Sequence, residues 1–92
     1  MHTKKNKNGR KQHFVYIVRC SNGDLYTGYT LNPRERVRQH NTGRGARFTR
    51  SRLPVELAYF EKFGSKSEAL SREFAIKQLP RREKLLLITR AK

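Results

Sequence analysis

His13-Phe14-Val15-Tyr16-Ile17-Val18-Arg19-Cys20-Ser21-Asn22-Gly23-Asp24-Leu25-Tyr26-Thr27-Gly28-Tyr29-Thr30 is the stretch whose reading decides the fold. Phe14 to Val18 is a β-branched and aromatic run that is apolar on both alternating faces, which predicts a central strand covered on both sides. Ser21-Asn22-Gly23-Asp24 predicts a turn, its Asn-Gly pair favouring a tight hairpin. Leu25 to Thr30 is the return strand. A link this tight joins antiparallel neighbours and leaves no room for the crossover that a parallel pair needs.

Working outward, Asn32-Pro33-Arg34-Glu35 predicts a helix start, with Asn32 as N-cap, Pro33 at the first helical position and Glu35 completing a capping-box-like pattern. The helix is expected to run to about Asn41 and stop before Gly43. Thr42 to Leu53, with two glycines and four arginines, is expected to be a polar loop. Val55 to Phe63 alternates in part and predicts a third strand. Ser65-Lys66-Ser67-Glu68 is a second capping box, opening a helix to about Gln78. Pro80 ends that helix and begins a last short one carrying Leu85-Leu86-Leu87-Ile88. The predicted order is β-β-α-β-α-α, and the economical architecture is α+β: a small three-stranded antiparallel sheet flanked by helices.

The chain has 92 residues, enough for one small domain, and 35% are hydrophobic. Residues 1–12, with Lys4, Lys5, Lys7, Arg10 and Lys11 and no acid, predict a disordered basic N-terminal arm; 13–92 is then the single folded domain. Lys and Arg number 22 against 7 Asp and Glu, a formal net charge of +15, of which +10 stays on the folded body. That field implies a polyanionic partner, first of all nucleic acid. No apolar run approaches the roughly 20 residues that span a bilayer. No helix combines a basic face with a broad apolar one, so a membrane partner is not expected. The lone Cys20 cannot form an internal disulfide and fits a reducing, cytoplasmic setting. With His2, His13 and His40 scattered, no zinc cluster is expected.

Among the seven acids, Glu35, Glu68 and Glu83 are explained by helix first turns, Asp24 by its turn, and Glu56 and Glu61 are expected to be solvated on the third strand. Glu73 differs. At 100° per residue it falls about 40° from Ala69, inside a stripe running from Ile76 through Leu70 to Phe74. A carboxylate there needs a partner, either Lys77 one turn on or a metal ion. In the helix from Pro33, Arg36 and His40 share a face with Val37. Tyr16 and Tyr26 can meet on one face of the hairpin. The loop cations Arg44, Arg47, Arg50 and Arg52 suit phosphates, and Phe48 suits either a base or an anchoring role.

Taken together these residues resemble the GIY-YIG nuclease superfamily, closest to its small stand-alone single-domain bacterial branch. The resemblance runs from about His13 to Ile88. It rests on Phe14-Val15-Tyr16, Tyr26-Thr27-Gly28, Asn32-Pro33-Arg34-Glu35-Arg36, His40-Asn41-Thr42-Gly43-Arg44-Gly45-Ala46-Arg47-Phe48-Thr49, and Glu68-Ala69-Leu70 followed by Glu73 and Ile76-Lys77. It implies metal-dependent hydrolysis of phosphodiester bonds in nucleic acid, with DNA expected ahead of RNA. Tyr16 and Tyr26 match the two signature tyrosines, Arg36 the helix arginine, His40 a position held by histidine or tyrosine, and Glu73 the glutamate that would hold one Mg²⁺ or Mn²⁺. Arg34, Arg38, Arg44, Arg47, Phe48, Arg50, Arg52 and Lys77 are the expected nucleic-acid contacts. Specificity would then come from a homodimer, a separate protein or substrate shape. Phe14 stands where the name-giving glycine would be, and no asparagine follows Asn41. The alternative is therefore a nucleic-acid-binding module with a degenerate, inactive site.

Overall fold

The computed structural model describes residues 11–91. The basic stretch 1–12, apart from its last two residues, lies outside them. Strands β1 (His13–Cys20), β2 (Leu25–Thr30) and β3 (Val55–Phe63) form one antiparallel sheet in the order β2-β1-β3. The hairpin turn closes through Cys20 N–H to Asp24 O at 2.8 Å and Gly23 N–H to Cys20 O at 2.9 Å. Gly23 has φ +92°, a left-handed conformation that a side chain would strain.

Helix α1 (Pro33–Asn41) begins where expected: the Asn32 side chain accepts from Glu35 N–H at 3.1 Å. The Glu35 carboxylate turns outward to Arg38 at 3.2 Å. Its C-terminus is a Schellman motif, with Arg44 N–H to Gln39 O and Gly43 N–H to His40 O, both at 2.9 Å, and Gly43 at φ +83°. The segment expected to be loop contains a single helical turn, α2 (Arg47–Arg50). Arginine-rich composition hid it, because its stability comes from contacts with the hairpin and not from its own sequence. Helices α3 (Lys66–Lys77), capped by Ser65 Oγ on Glu68 N–H at 3.2 Å, and α4 (Arg81–Arg90) complete the chain.

The central strand is covered on both faces, as its run of apolar residues implies. Val15 and Ile17 pack with Ala69, Ile76 and Ile88 under α3 and α4. Tyr16, Val18 and Cys20 pack with Val55, Val37 and Leu53 on the other face. The apolar stripe of α3 is narrower than its sequence suggests. Ala69 and Ile76 are buried, while Leu70 and Phe74 are exposed, Phe74 at 68%. Glu61 is not solvated: Arg72 binds it bidentately at 2.8 and 2.9 Å and Tyr59 donates to it as well. Burial alone would raise the Glu61 carboxyl, but these hydrogen bonds hold it below its ordinary value. The pair ties α3 to β3. Asn41 joins α1 to β3 like an added strand residue, donating to Val55 O at 2.9 Å and accepting from Val55 N–H at 2.7 Å.

One buried group is left without a partner among the described residues: the Thr27 hydroxyl. Thr27→Val removes an unpaired hydroxyl at nearly constant shape and is expected to raise stability by about 1 kcal/mol, read as a higher denaturation midpoint. Asn41→Ala is expected to lower it by about 1–2 kcal/mol, since two hydrogen bonds to the backbone are lost.

Candidate active site

Tyr16 pairs across the hairpin with Gly28, and Val18 with Tyr26, so Tyr16 and Tyr26 leave the same face. Their ring centroids lie 6.4 Å apart. The space for the Tyr16 ring exists because Gly28 has no side chain. A Cβ there would stand 2.6 Å from the Tyr16 hydroxyl oxygen. His40, fully buried on the last turn of α1, sits 5.9 Å from the Tyr16 ring and 5.6 Å from Tyr26, centroid to centroid. Its imidazole is held from behind by Gly45, where a Cβ would come within 2.2 Å of Nδ1. The Schellman turn at Gly43 brings Gly45 back onto the ring.

The polar groups form a chain. Tyr16 Oη and His40 Nε2 are 2.9 Å apart, His40 Nδ1 and Thr49 Oγ1 are 2.8 Å apart, and the Thr49 hydroxyl donates to Ala46 O at 2.9 Å. Thr49 has one hydroxyl proton, and giving it to Ala46 leaves only lone pairs for His40. His40 Nδ1 also accepts from the Ala46 backbone N–H at 3.4 Å, so Nδ1 faces both that donor and the Thr49 hydroxyl, and the tautomer of the ring sets the direction of the Tyr16–His40 bond. Thr49 is fully buried and lies in a stretch that reads as solvated loop. Nothing in the sequence marks it.

Burial pushes the Tyr16 phenol up to about 12, opposed by the hydrogen bond and charge of Arg36 and reinforced by Tyr26 and by the Glu73 carboxylate. Burial also lowers His40 below its ordinary value, and the Arg36 charge lowers it further. Arg36 is half-buried, with Nη1 donating to Gln39 at 2.9 Å. Tyr16, Tyr26 and His40 therefore form one ring cluster, and the charges of Arg36 and Glu73 act on its Tyr16.

Glu73 is 17% exposed and its Oε2 lies 3.0 Å from Lys77 Nζ. Among the described residues there is no group of three or more His, Cys, Asp or Glu able to form a cage for a metal. Mg²⁺-like ions need none: they commonly take one or two carboxylates, keep several waters and complete their shell with substrate phosphate. The single Glu73 carboxylate, 17% exposed and near enough for its charge to act on Tyr16, fits an ion of that kind.

The expected nucleic-acid contacts divide. Arg34, Arg38, Arg44, Arg47 and Arg50 are exposed. Arg38 pairs with Glu35 at the open surface, where such pairs are weak. Lys77 is occupied by Glu73. Arg52 binds Asp24 at 3.0 Å and Phe48 O, and its guanidinium lies 3.9 Å over the Phe48 ring. Phe48 stacks on Tyr26 at 5.8 Å and 21°. Phe48 thus takes the anchoring role of its two readings, clipping α2 to the hairpin and so holding Thr49 under His40.

His40 is expected to remain neutral at pH 7, visible in ring ¹⁵N NMR, which also reads its tautomer and so the direction of the Tyr16–His40 hydrogen bond. Its lowered pKa means that the unfolded chain takes up the proton first. The stability it supplies is present above about pH 6.5 and is lost as pH falls through the folded value. Chemical denaturation against pH should show this slope, flattened in His40→Gln. Gly45→Ala is expected to displace the imidazole and to lower stability by about 1–3 kcal/mol.

The sequence pattern of the GIY-YIG catalytic domain matches residues 12–85. UPF0213 protein OB0043 of Oceanobacillus iheyensis is 56% identical over 78 residues, 85% of this chain and 91% of that one. UPF0213 protein SH2523 of Staphylococcus haemolyticus is 52% identical over 77 residues, 84% of this chain and 94% of its own. The solution NMR structure of UPF0213 protein BH0048 from Bacillus halodurans is similar at TM-score 0.56 and 42% identity, over 85% of this chain and 83% of that one. That of EF2693 from E. faecalis is similar at TM-score 0.57 and 38% identity, over 90% and 91%. By sequence pattern, by relatives of the same length and by the fold they share, the chain belongs to the GIY-YIG catalytic domain family.

Proposed function

We propose that the protein is a metal-dependent endonuclease that hydrolyses phosphodiester bonds in nucleic acid, with DNA its substrate ahead of RNA. The observation that carries this reading is the buried chain from Tyr16 through His40 to Thr49, with Arg36 at its open end. A phenol at about 12 is not ionised at neutral pH, so Tyr16 cannot wait as phenolate. It can take a proton from an attacking water as its own proton passes to Nε2 of His40, in the tautomer that leaves that nitrogen bare. The water oxygen bonds to phosphorus, the scissile P–O bond breaks, and the leaving oxygen is protonated from solvent. Arg36 neutralises charge on the phosphate in the transition state. Tyr26 orients the water or the phosphate. A Mg²⁺ or Mn²⁺ ion held by Glu73 would supply Lewis-acid polarisation of the phosphate. The exposed arginines of α1 and of the α2 segment supply backbone contacts, and specificity is left to a homodimer, a separate protein or substrate shape.

A second reading rests on the ion pair between Glu73 and Lys77. A carboxylate already satisfied in this way suits a nucleic-acid-binding module without catalysis. The two readings share the charge and differ at Glu73.

Branched, flapped, single-stranded and duplex DNA and structured RNA, incubated with Mg²⁺ or Mn²⁺, separate them. The endonuclease reading expects cleavage that Glu73→Ala abolishes while binding persists. Tyr16→Phe, which loses the proton acceptor, should slow cleavage by about 10²–10⁴-fold. Cleavage by Glu73→Ala at the wild-type rate would sink the site assignment. Binding with a steep salt dependence, a log–log slope of about −0.9 per phosphate neutralised on duplex DNA, and no cleavage of any substrate would leave the binding module.

A further inference from the structure

The sheet face that carries Tyr16 is only half covered. At one end Val37 and Leu53 pack over Val18, Cys20 and Val55. At the other end lies a pair of aromatics. Phe60 stands directly opposite Tyr16 in the β1–β3 ladder, and Phe14, two residues along β1, stands opposite Lys62. The alternation of a strand puts Phe14, Tyr16, Phe60 and Lys62 on one face. The two phenylalanine rings meet edge to face, centroids 5.8 Å apart at 71°. Phe60 is 48% exposed and Lys62 is exposed.

We propose that Phe14 and Phe60 form a stacking platform for an unpaired nucleobase next to the scissile phosphate. The proposal rests on the reading above for the nature of the ligand, a polynucleotide. Two residues along a strand is about 7 Å, so a phosphate at Tyr16 leaves its neighbouring nucleotide over the two rings. Phe14 buttresses Phe60 edge-on and leaves the more exposed Phe60 ring open to a flat partner. Lys62 adds a cation beside it, in a chain whose net charge of +15 already selects a polyanion. A base inside continuous duplex has both faces stacked and has none to offer. The platform therefore favours single strands, flaps and branch points over uninterrupted duplex. It also gives Phe14, which replaces a glycine of the family pattern, something to do.

The test uses the full chain in EDTA, so that binding is read without cleavage, by fluorescence anisotropy with labelled oligonucleotides. Phe60→Ala should weaken binding to single-stranded DNA by about 5- to 150-fold, the loss of one stacked base, with duplex affinity and the salt slope unchanged. Phe60→Leu, which keeps an apolar surface without a ring, should behave like Phe60→Ala. A strand of the same length with abasic residues should bind wild type and Phe60→Ala alike. Thermal denaturation checks that both variants fold. Equal losses on single strand and duplex, no loss on either, or a loss that persists on the abasic strand would overturn the platform. So would sedimentation showing that Phe60→Ala dissolves a dimer, since the face would then belong to a second copy. A parallel Mg²⁺ cleavage assay separates the two ideas. Cleavage with an inert Phe60 removes the platform alone, and the expected binding pattern without cleavage removes the hydrolase alone.

Discussion

A buried phenol beside a buried imidazole is costly unless each satisfies the other, and the hydrogen bond between Tyr16 and His40 is the constraint around which this small fold is arranged. It requires β1 to be the central strand, so that Tyr16 is shielded. It requires a bare position opposite, which Gly28 supplies, and a second behind the imidazole, which Gly45 supplies. It requires α1 to end where it does, because His40 lies on the last turn and the Schellman turn after it returns the chain. The hydroxyl of Thr49 then closes the far side of the ring. Each of these features is ordinary on its own. Together they hold the imidazole in one position against the phenol.

The same pair explains how electrostatics and packing are coupled here. Burial raises Tyr16 and lowers His40, so both are neutral at physiological pH. Arg36 works on both: it eases ionisation of the phenol and discourages protonation of the imidazole. The proposed relay would then accept a proton at its open end without holding a charge at rest. Away from this point, ion pairs do structural work. Glu61 with Arg72 ties α3 to β3, and Asp24 with Arg52 clips the α2 turn to the hairpin.

Much of the fold was legible because its signals are local. The hairpin follows from Asn22-Gly23, the helix starts from Asn32-Pro33 and Ser65, and the helix end from Gly43. The doubly covered central strand follows from an apolar run without alternation. Among the described residues no helix is long and apolar enough to cross a membrane, in keeping with the absence of any long apolar run. The misreadings share a different cause. Glu61 read as solvated and Phe74 as buried, because whether a residue on a regular element is covered depends on what lies across from it. The α2 turn was invisible for the same reason: Phe48 stabilises it by stacking on Tyr26, a residue 22 positions away.

The chemical character of the site was determined by the sequence alone: two strand tyrosines, an arginine and a histidine one helical turn apart, and an acid on the inner edge of a helix. Residue type and short-range periodicity are enough for that, since they are properties of single elements. Only the tertiary structure decided how these groups face one another. It placed Thr49 behind His40, turned Phe48 into an anchor, paired Glu73 with Lys77, and left Phe14 and Phe60 open beside Tyr16. Those outcomes depend on strand register and on how helices turn against a sheet, and both are set by packing between segments far apart in the chain.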